Sequence, residues 1–209
     1  YRARVWQKTS RGGLPKIFLE NMDFEKYADY AINMPLLFII KNNQYISSNY
    51  KTFKDFMNGG IQEVNNKLPA LKDLKIHLST IFTEVRLKNY VEIRCLDACE
   101  WDCHCAGPAF YTGLVYGSLD KALDIIKNWK MDDVLNAYME SPKKGLNTEI
   151  SGKSILYWSR IFLNLSKEGL LSRKHLDQKG NNETIFLKNI ENILNENKTK
   201  AEKTLDNLI

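Results

Sequence analysis

The chain has 209 residues, a formal net charge of +5, 44% hydrophobic and 26% charged residues, which suits a folded domain with its own core and excludes a disordered or fibrous chain. The charge is mild and the lysines are spread along the chain, which argues against nucleic acid as a partner and leaves room for a small polyanion such as a nucleotide. No apolar run approaches the roughly 18 residues of a membrane span and no signal peptide is recognised, so no membrane partner and a cytoplasmic location are expected.

The first element, Arg2-Ala-Arg-Val-Trp6, reads as a short strand. A chain that opens on Tyr1 and enters an element at once is expected to be a fragment lacking an N-terminal portion. Abundant Asn, Lys and Ile suggest an AT-rich bacterial genome. Ser10-Arg-Gly-Gly-Leu-Pro15 reads as a loop. Asp23–Asn33 has helical spacing, with Phe24, Tyr27, Ala28 and Ala31 on one face and Asp23 as N-cap. Pro35 ends it. Leu36–Ile40 and Gln44–Ile46 read as a hairpin around Asn42-Asn43. Thr52–Met57 is a short helix capped by Thr52 and closed by Gly59-Gly60, and Leu71–Ile81 is a further helix.

Glu84–Arg94 has the pattern of a two-faced strand. Glu84, Arg86, Lys88, Tyr90, Glu92 and Arg94 fall on one side, and Val85, Leu87, Val91 and Ile93 on the other, because successive strand side chains alternate. Asn89 is out of phase. A carboxylate and guanidinium groups on one face suit a cation and a phosphate, although mixed charge is also ordinary on the wet face of an antiparallel sheet. In an unbroken strand Glu84 and Arg94 lie roughly 33 Å apart, while Glu92 and Arg94, about 7 Å apart, share a ligand. Arg86 joins them only on a long ligand or if the chain bends. The segment is longer than a usual strand, which leaves room for a bulge or break.

All four cysteines fall in Cys95-x₃-Cys99-x₃-Cys103-x-Cys105, with His104 inside the cluster. Thiolates and imidazole bind zinc or iron–sulfur clusters, but the pairs expected of a zinc site are absent. In a cytosolic setting disulfides are not expected, and free cysteines packed under a helix behave as small apolar residues. A metal- or redox-sensing module therefore stays as an alternative. Beyond Asp97 the pattern is helical: Pro108–Tyr116, then Ser118–Trp129 with Ser118 as cap and Leu119, Ala122, Leu123 and Ile126 inward, then Met131–Met139, Lys153–Ser172 and Glu183–Ile209. The layout is α+β, expected as a single domain fragment with sheet and helices over 1–97 and a mainly helical part over 98–209.

His77-Leu-Ser-Thr-Ile-Phe82, Glu84-Val-Arg-Leu-Lys88 and Tyr90-Val-Glu-Ile-Arg94 together resemble the signature of plant-type and proteobacterial glutamate–cysteine ligases. The likeness continues through Asp97, Trp101, Cys105, Pro108-Ala-Phe110 and Gly113-Leu-Val-Tyr116, and backwards through Phe24–Ala31, Tyr45-Ile46 and Thr52–Phe56. Arg2–Trp6 resembles a family strand with an Arg four residues before a Trp. The resemblance covers nearly the whole chain. It implies a glutamine synthetase-like fold, an antiparallel sheet curved into a funnel with helices outside. It also implies ATP-dependent ligation of glutamate to cysteine through a γ-glutamyl phosphate, the first step of glutathione biosynthesis, with Mg²⁺ as the metal. On that likeness Glu92 holds Mg²⁺ and Arg94 meets the transferring phosphoryl group. Arg86 and Lys88 face nucleotide or substrate carboxylate, Arg2 holds the glutamate α-carboxylate, and Arg11 contacts phosphate. A ligase of the same fold with another amine substrate stays open.

The chain departs from the family where Cys95-Leu-Asp97 replaces Gly-Ala-Asp and where Asp102-Cys103 replaces an arginine pair, removing positive charge. The cysteines of a regulatory disulfide in plant members, expected around Ser48 and Leu68, are absent there.

Overall fold

The computed structural model describes residues 2–9, 11–97 and 99–208, without the side chains of Arg2 and Leu19. It mixes helices with short strands, in keeping with an α+β class, and divides into two compact units, Tyr1–Cys95 and Leu96–Ile209.

In the first unit, Arg2–Trp6 is a helix (α1), not the expected strand. Five residues hold too little periodicity to separate the two, and the turn closes with Gln7 N–H donating to the Ala3 carbonyl at 2.9 Å. The Trp6 ring stacks on Phe82 with centroids 5.4 Å apart. Beneath it, Gly12–Gly13 is a strand (β1), not a loop, paired in parallel with Phe82–Thr83. Glycine is required there, because a Cβ on Gly12 would stand 2.3 Å from the Trp6 ring.

Helix α2 (Phe24–Asn33) starts as expected, with the Asp23 carboxylate accepting from Lys26 N–H at 2.8 Å. Such a cap contributes about 1 kcal/mol. Strands β2 (Ile39–Lys41) and β3 (Gln44–Ile46) form the expected hairpin, and Asn42 and Asn43 turn it at φ of 50° and 60°. Asn tolerates this left-handed region better than other side chains. Helix α3 (Phe53–Met57) opens with a reciprocal capping box between Thr52 and Asp55. Helix α4 (Leu71–Ser79) ends two residues short of Ile81, which is instead fully buried in a core with Tyr27, Ala31 and Met34. A second core gathers Leu36, Ile39, Phe53, Phe56, Ile61 and Val64. Burying each large side chain stabilises by about 1.5–3 kcal/mol.

Strand β4 (Phe82–Thr83) leads into β5 (Val85–Leu87) and β6 (Val91–Ile93), which pair antiparallel. The single long strand expected over 84–94 is therefore a hairpin. Among the described residues the strands form two-stranded ladders, one of them parallel, in place of the continuous curved sheet that the resemblance implies.

In the second unit, α5 (Ala106–Gly117) carries Pro108 in its first turn, where a missing N–H costs nothing. Helix α6 (Leu119–Ile126) follows, and Ser118 makes no side-chain cap. Of the residues expected to face inward, Ala122 is buried, whereas Leu119, Leu123 and Ile126 are exposed. Helix α7 (Met131–Lys144) runs past the expected Met139. Strands β7 (Glu149–Ile150) and β8 (Lys153–Ser154) then make a hairpin that the helical pattern hid, turned by Ser151 and Gly152 at positive φ. Helix α8 (Ile155–Arg173) crosses α5 at close range. A Cβ on Gly113 would lie 2.2 Å from the Ser166 carbonyl oxygen, and one on Gly169 would lie 2.0 Å from that of Gly113. Ser166 Oγ donates to the Phe110 carbonyl at 2.9 Å across the same crossing. The final stretch, expected as one helix, breaks into α9 (Lys188–Glu196) and α10 (Lys200–Asp206), because Asn197 turns left-handed and Thr199 opens a new capping box.

Candidate functional site

The β5–β6 hairpin assembles the charged face. Its register sets Val85 opposite Ile93, Arg86 opposite Glu92 and Leu87 opposite Val91. Pairs alternate between the faces of an antiparallel ladder, so Arg86 and Glu92 look one way and the apolar residues the other. The same face extends at both ends, where Arg94 N–H donates to the Glu84 carbonyl and Lys88 N–H to the Tyr90 carbonyl, each at 2.8 Å. The reversal over Lys88-Asn89-Tyr90 shortens the separation expected of an extended strand. Asn89, out of phase and a turn former, was the sequence signal for it.

Glu92 sits at the centre. Its Oε2 accepts from Arg86 Nε at 2.7 Å and lies 2.6 Å from Arg86 Nη2, a forked ion pair. Lys88 Nζ is 3.9 Å from the same oxygen, and Arg94 Nη1 is 3.4 Å from Oε1. The Arg86 hydrogen bond first, and the neighbouring charges of Arg86, Lys88 and Arg94 with it, hold Glu92 below the usual carboxylate range against the opposing effect of burial. Arg86 is nearly inaccessible at 6% side-chain exposure, whereas Arg94 at 22% and Lys88 at 31% reach solvent. Arg94 also lies over the Phe82 ring and Lys88 over the Tyr90 ring, each 5.8 Å from the centroid.

The arrangement is rich in cations and poor in acids. Mg²⁺ needs near-octahedral oxygen donors. Here Arg86, Lys88 and Arg94 already surround the Glu92 carboxylate, and among the described residues no group of three or more His, Cys, Asp or Glu converges to hold a metal. The residues present do not fit a magnesium site. One at Glu92 needs oxygen ligands that the described residues do not bring to it. An anion, by contrast, suits the exposed ends of Arg94 and Lys88.

Arg11, expected to contact phosphate, is committed elsewhere. Its Nε donates to the Thr80 carbonyl at 3.2 Å, Nη2 to Thr80 Oγ1 at 2.7 Å, and Nη1 to the Pro35 carbonyl. Burial lowers its pKa. It ties together Thr80 and Pro35, partners that lie far away in sequence. The side chain of Arg2 lies outside the described residues. His77, in the shared motif, is a core group. It is buried, stacked on Phe53 with centroids 5.0 Å apart, and its Nε2 lies 2.7 Å from the Ala31 carbonyl. A carbonyl only accepts, so Nε2 carries the proton and Nδ1 is left buried without a hydrogen-bond partner.

The opposite face of the hairpin borders a feature that sequence reasoning missed. Val85, Leu87 and Val91 line an apolar cavity of about 410 Å³ with Leu14, Phe18, Phe24 and Tyr27. Phe24 is 78% and Val91 64% exposed. The alternation that marked the charged face marked this one too, but not that it stays uncovered.

In the second unit the cysteines do not converge. Cys99 and Cys103 form a disulfide, while Cys95, at the end of the first unit, and Cys105 are exposed. Both the expectation of free thiols packed under a helix and the expectation of no disulfide are corrected.

A family model described as glutamate-cysteine ligase family 2 (GCS2) matches residues 1–207. The chain is 35% identical to a chloroplastic glutamate–cysteine ligase of Solanum lycopersicum, over 98% of this chain and 39% of that protein. It is 34% identical to the chloroplastic enzyme of Nicotiana tabacum, over 98% and 39%, and 34% identical to chloroplastic glutamate–cysteine ligase A of Oryza sativa subsp. indica, over 98% and 42%. The chain thus spans about two fifths of the length of these relatives. They are named chloroplastic, which overturns the cytoplasmic expectation, and the compartment argument against a disulfide rested on it. They are plant proteins, so the bacterial origin is unsupported too. No helix among the described residues is long and apolar enough to cross a membrane.

Proposed function

The chain belongs to glutamate-cysteine ligase family 2, and from that premise we propose that the protein joins the γ-carboxylate of glutamate to the amine of cysteine in an ATP-driven reaction, the first step of glutathione biosynthesis. The γ-carboxylate attacks the γ-phosphorus of ATP and ADP leaves; the amine then attacks the acyl carbon of the γ-glutamyl phosphate, the C–O bond to phosphate breaks, and phosphate leaves with the proton that the amine loses. The hairpin's part is to hold anionic oxygens. Arg94 and Lys88, flanking Glu92 and part-exposed, contact the phosphoryl or carboxylate oxygens. In a partly desolvated setting such charge-assisted hydrogen bonds are each worth about 1.5–3 kcal/mol. Glu92 keeps the cations from splaying apart. The two-stranded ladders are read as pieces of the family's funnel-shaped sheet.

The observation that carries this reading is the clustering of Arg86, Lys88 and Arg94 on one carboxylate, which leaves a net positive and part-exposed face. A coupled phosphate-release assay on the intact protein, with ATP, glutamate and a panel of amines, tests it. Phosphate release that requires cysteine is expected. Release with another amine and none with cysteine would replace the substrate assignment, and no release with any amine would end the ligase reading.

A further inference from the structure

We infer that Arg86 is a positioning residue, the fixed post from which Glu92 sets the place of Arg94 and Lys88. The inference rests on the reading of those two cations as the anion contacts, and it removes Arg86 from the reacting groups among which the family resemblance counts it.

The donor inventory supports this. A guanidinium offers five N–H donors in a rigid planar fork. In Arg86, Nε and Nη2 face Glu92 Oε2, and Nη1 donates to the Ser79 carbonyl at 2.6 Å and the Ile81 carbonyl at 3.2 Å. These carbonyls lie at the end of α4 and just beyond it, the first on an exposed residue and the second on a buried one, so one side chain ties the hairpin to the edge of the core. Ile81 is fully buried, and Arg86 itself is 5% exposed. A group so placed has little reach toward a ligand. It does fix Oε2, and with it the orientation of the Glu92 carboxyl plane, because both contacts fall on that one oxygen. Oε1 then points to Arg94 at 3.4 Å. The chain of effect runs from the core carbonyls through Arg86 to Glu92 and only then to the exposed cations.

The alternatives are a direct role for Arg86 on substrate and a purely structural role. A double-mutant cycle on the intact protein separates them. Arg86→Lys keeps the charge and loses the fork. If Arg86 acts through the placement of Arg94, the change lowers kcat/KM for ATP about tenfold in the otherwise native protein and less than about twofold in an Arg94→Ala background. Equal losses in both backgrounds overturn the inference, since a direct contact or a general loosening of the fold acts whether or not Arg94 is present. Should Arg86→Lys fail to fold, Glu92→Gln run through the same cycle tests the same path, with the same outcomes. A protein that binds tripolyphosphate without releasing phosphate is read by the same cycle in Kd from calorimetry, so failure of the ligase reading stays distinct from failure of this one. Absence of both binding and turnover overturns the two together.

Discussion

The hairpin over 84–94 and the cysteine segment over 95–105 are the densest runs of chemistry-bearing residues in the chain, and they fold to different outcomes. In the hairpin an antiparallel register brings Arg86, Lys88 and Arg94 onto the Glu92 carboxylate. In the cysteine segment two sulfurs bond to each other, and Cys95 and Cys105 are exposed. The local pairing geometry decides which run becomes a site. A two-residue period in a ladder stacks like-facing side chains across strands, whereas the cysteine segment carries a short 3-10 turn at Trp101–Cys103 and no ladder among its described residues.

The sharpest way to break the contrast is activity. Arg94→Ala is expected to lower kcat/KM for phosphate release by about 10²-fold, the scale of losing one charge-stabilising donor. The paired change Cys99→Ser with Cys103→Ser is expected to leave it within about threefold, as for substitutions away from a site. The reverse ranking would move the site to the cysteine segment. Stability sharpens the same comparison at smaller scale. Glu92→Leu strands the buried Arg86 guanidinium and is expected to cost about 3 kcal/mol in denaturant titration. Opening the Cys99–Cys103 link, which closes only a short loop, is expected to cost about 2 kcal/mol.

The smallest effect concerns His77, a buried group packed on Phe53. Burial first, with Arg11 nearby, lowers its pKa against the raising effect of the Ala31 carbonyl. The folded state therefore binds the proton less readily than the unfolded chain. Stability is full above the unfolded value near 6.5 and falls as pH drops below it, by no more than about 1.4 kcal/mol per pH unit from this group. Urea titrations of the native protein and of His77→Gln across pH 5–8 check this. A native slope that the substitution leaves unchanged would assign the effect to other groups.

Much of the local structure was legible because its causes are local. The caps at Asp23 and Thr52 and the turn at Asn42-Asn43 follow from side chains acting on their own backbone. The two faces of 84–94 were legible from alternation, but the fold-back was not, since a hairpin and a long strand alternate identically and only the turn sets the register. Arg11 and Arg86 looked alike in sequence. What marks both as anchors is the set of main-chain carbonyls that meet them, supplied by Thr80 and Pro35 for one and by Ser79 and Ile81 for the other. The helical identity of Arg2–Trp6 and the pairing of Gly12-Gly13 depend on Phe82, a partner that no local pattern announces.

Calorimetric titration of tripolyphosphate into the intact protein, native and Arg94→Ala, tests most directly whether the charged face of the hairpin receives anions. Binding weakened by about 10–10²-fold on substitution, with an unchanged far-ultraviolet circular dichroism spectrum, is the predicted result. Equal affinity in the two folded proteins would contradict it and leave the Glu92 cluster as an ion pair that only supports the fold.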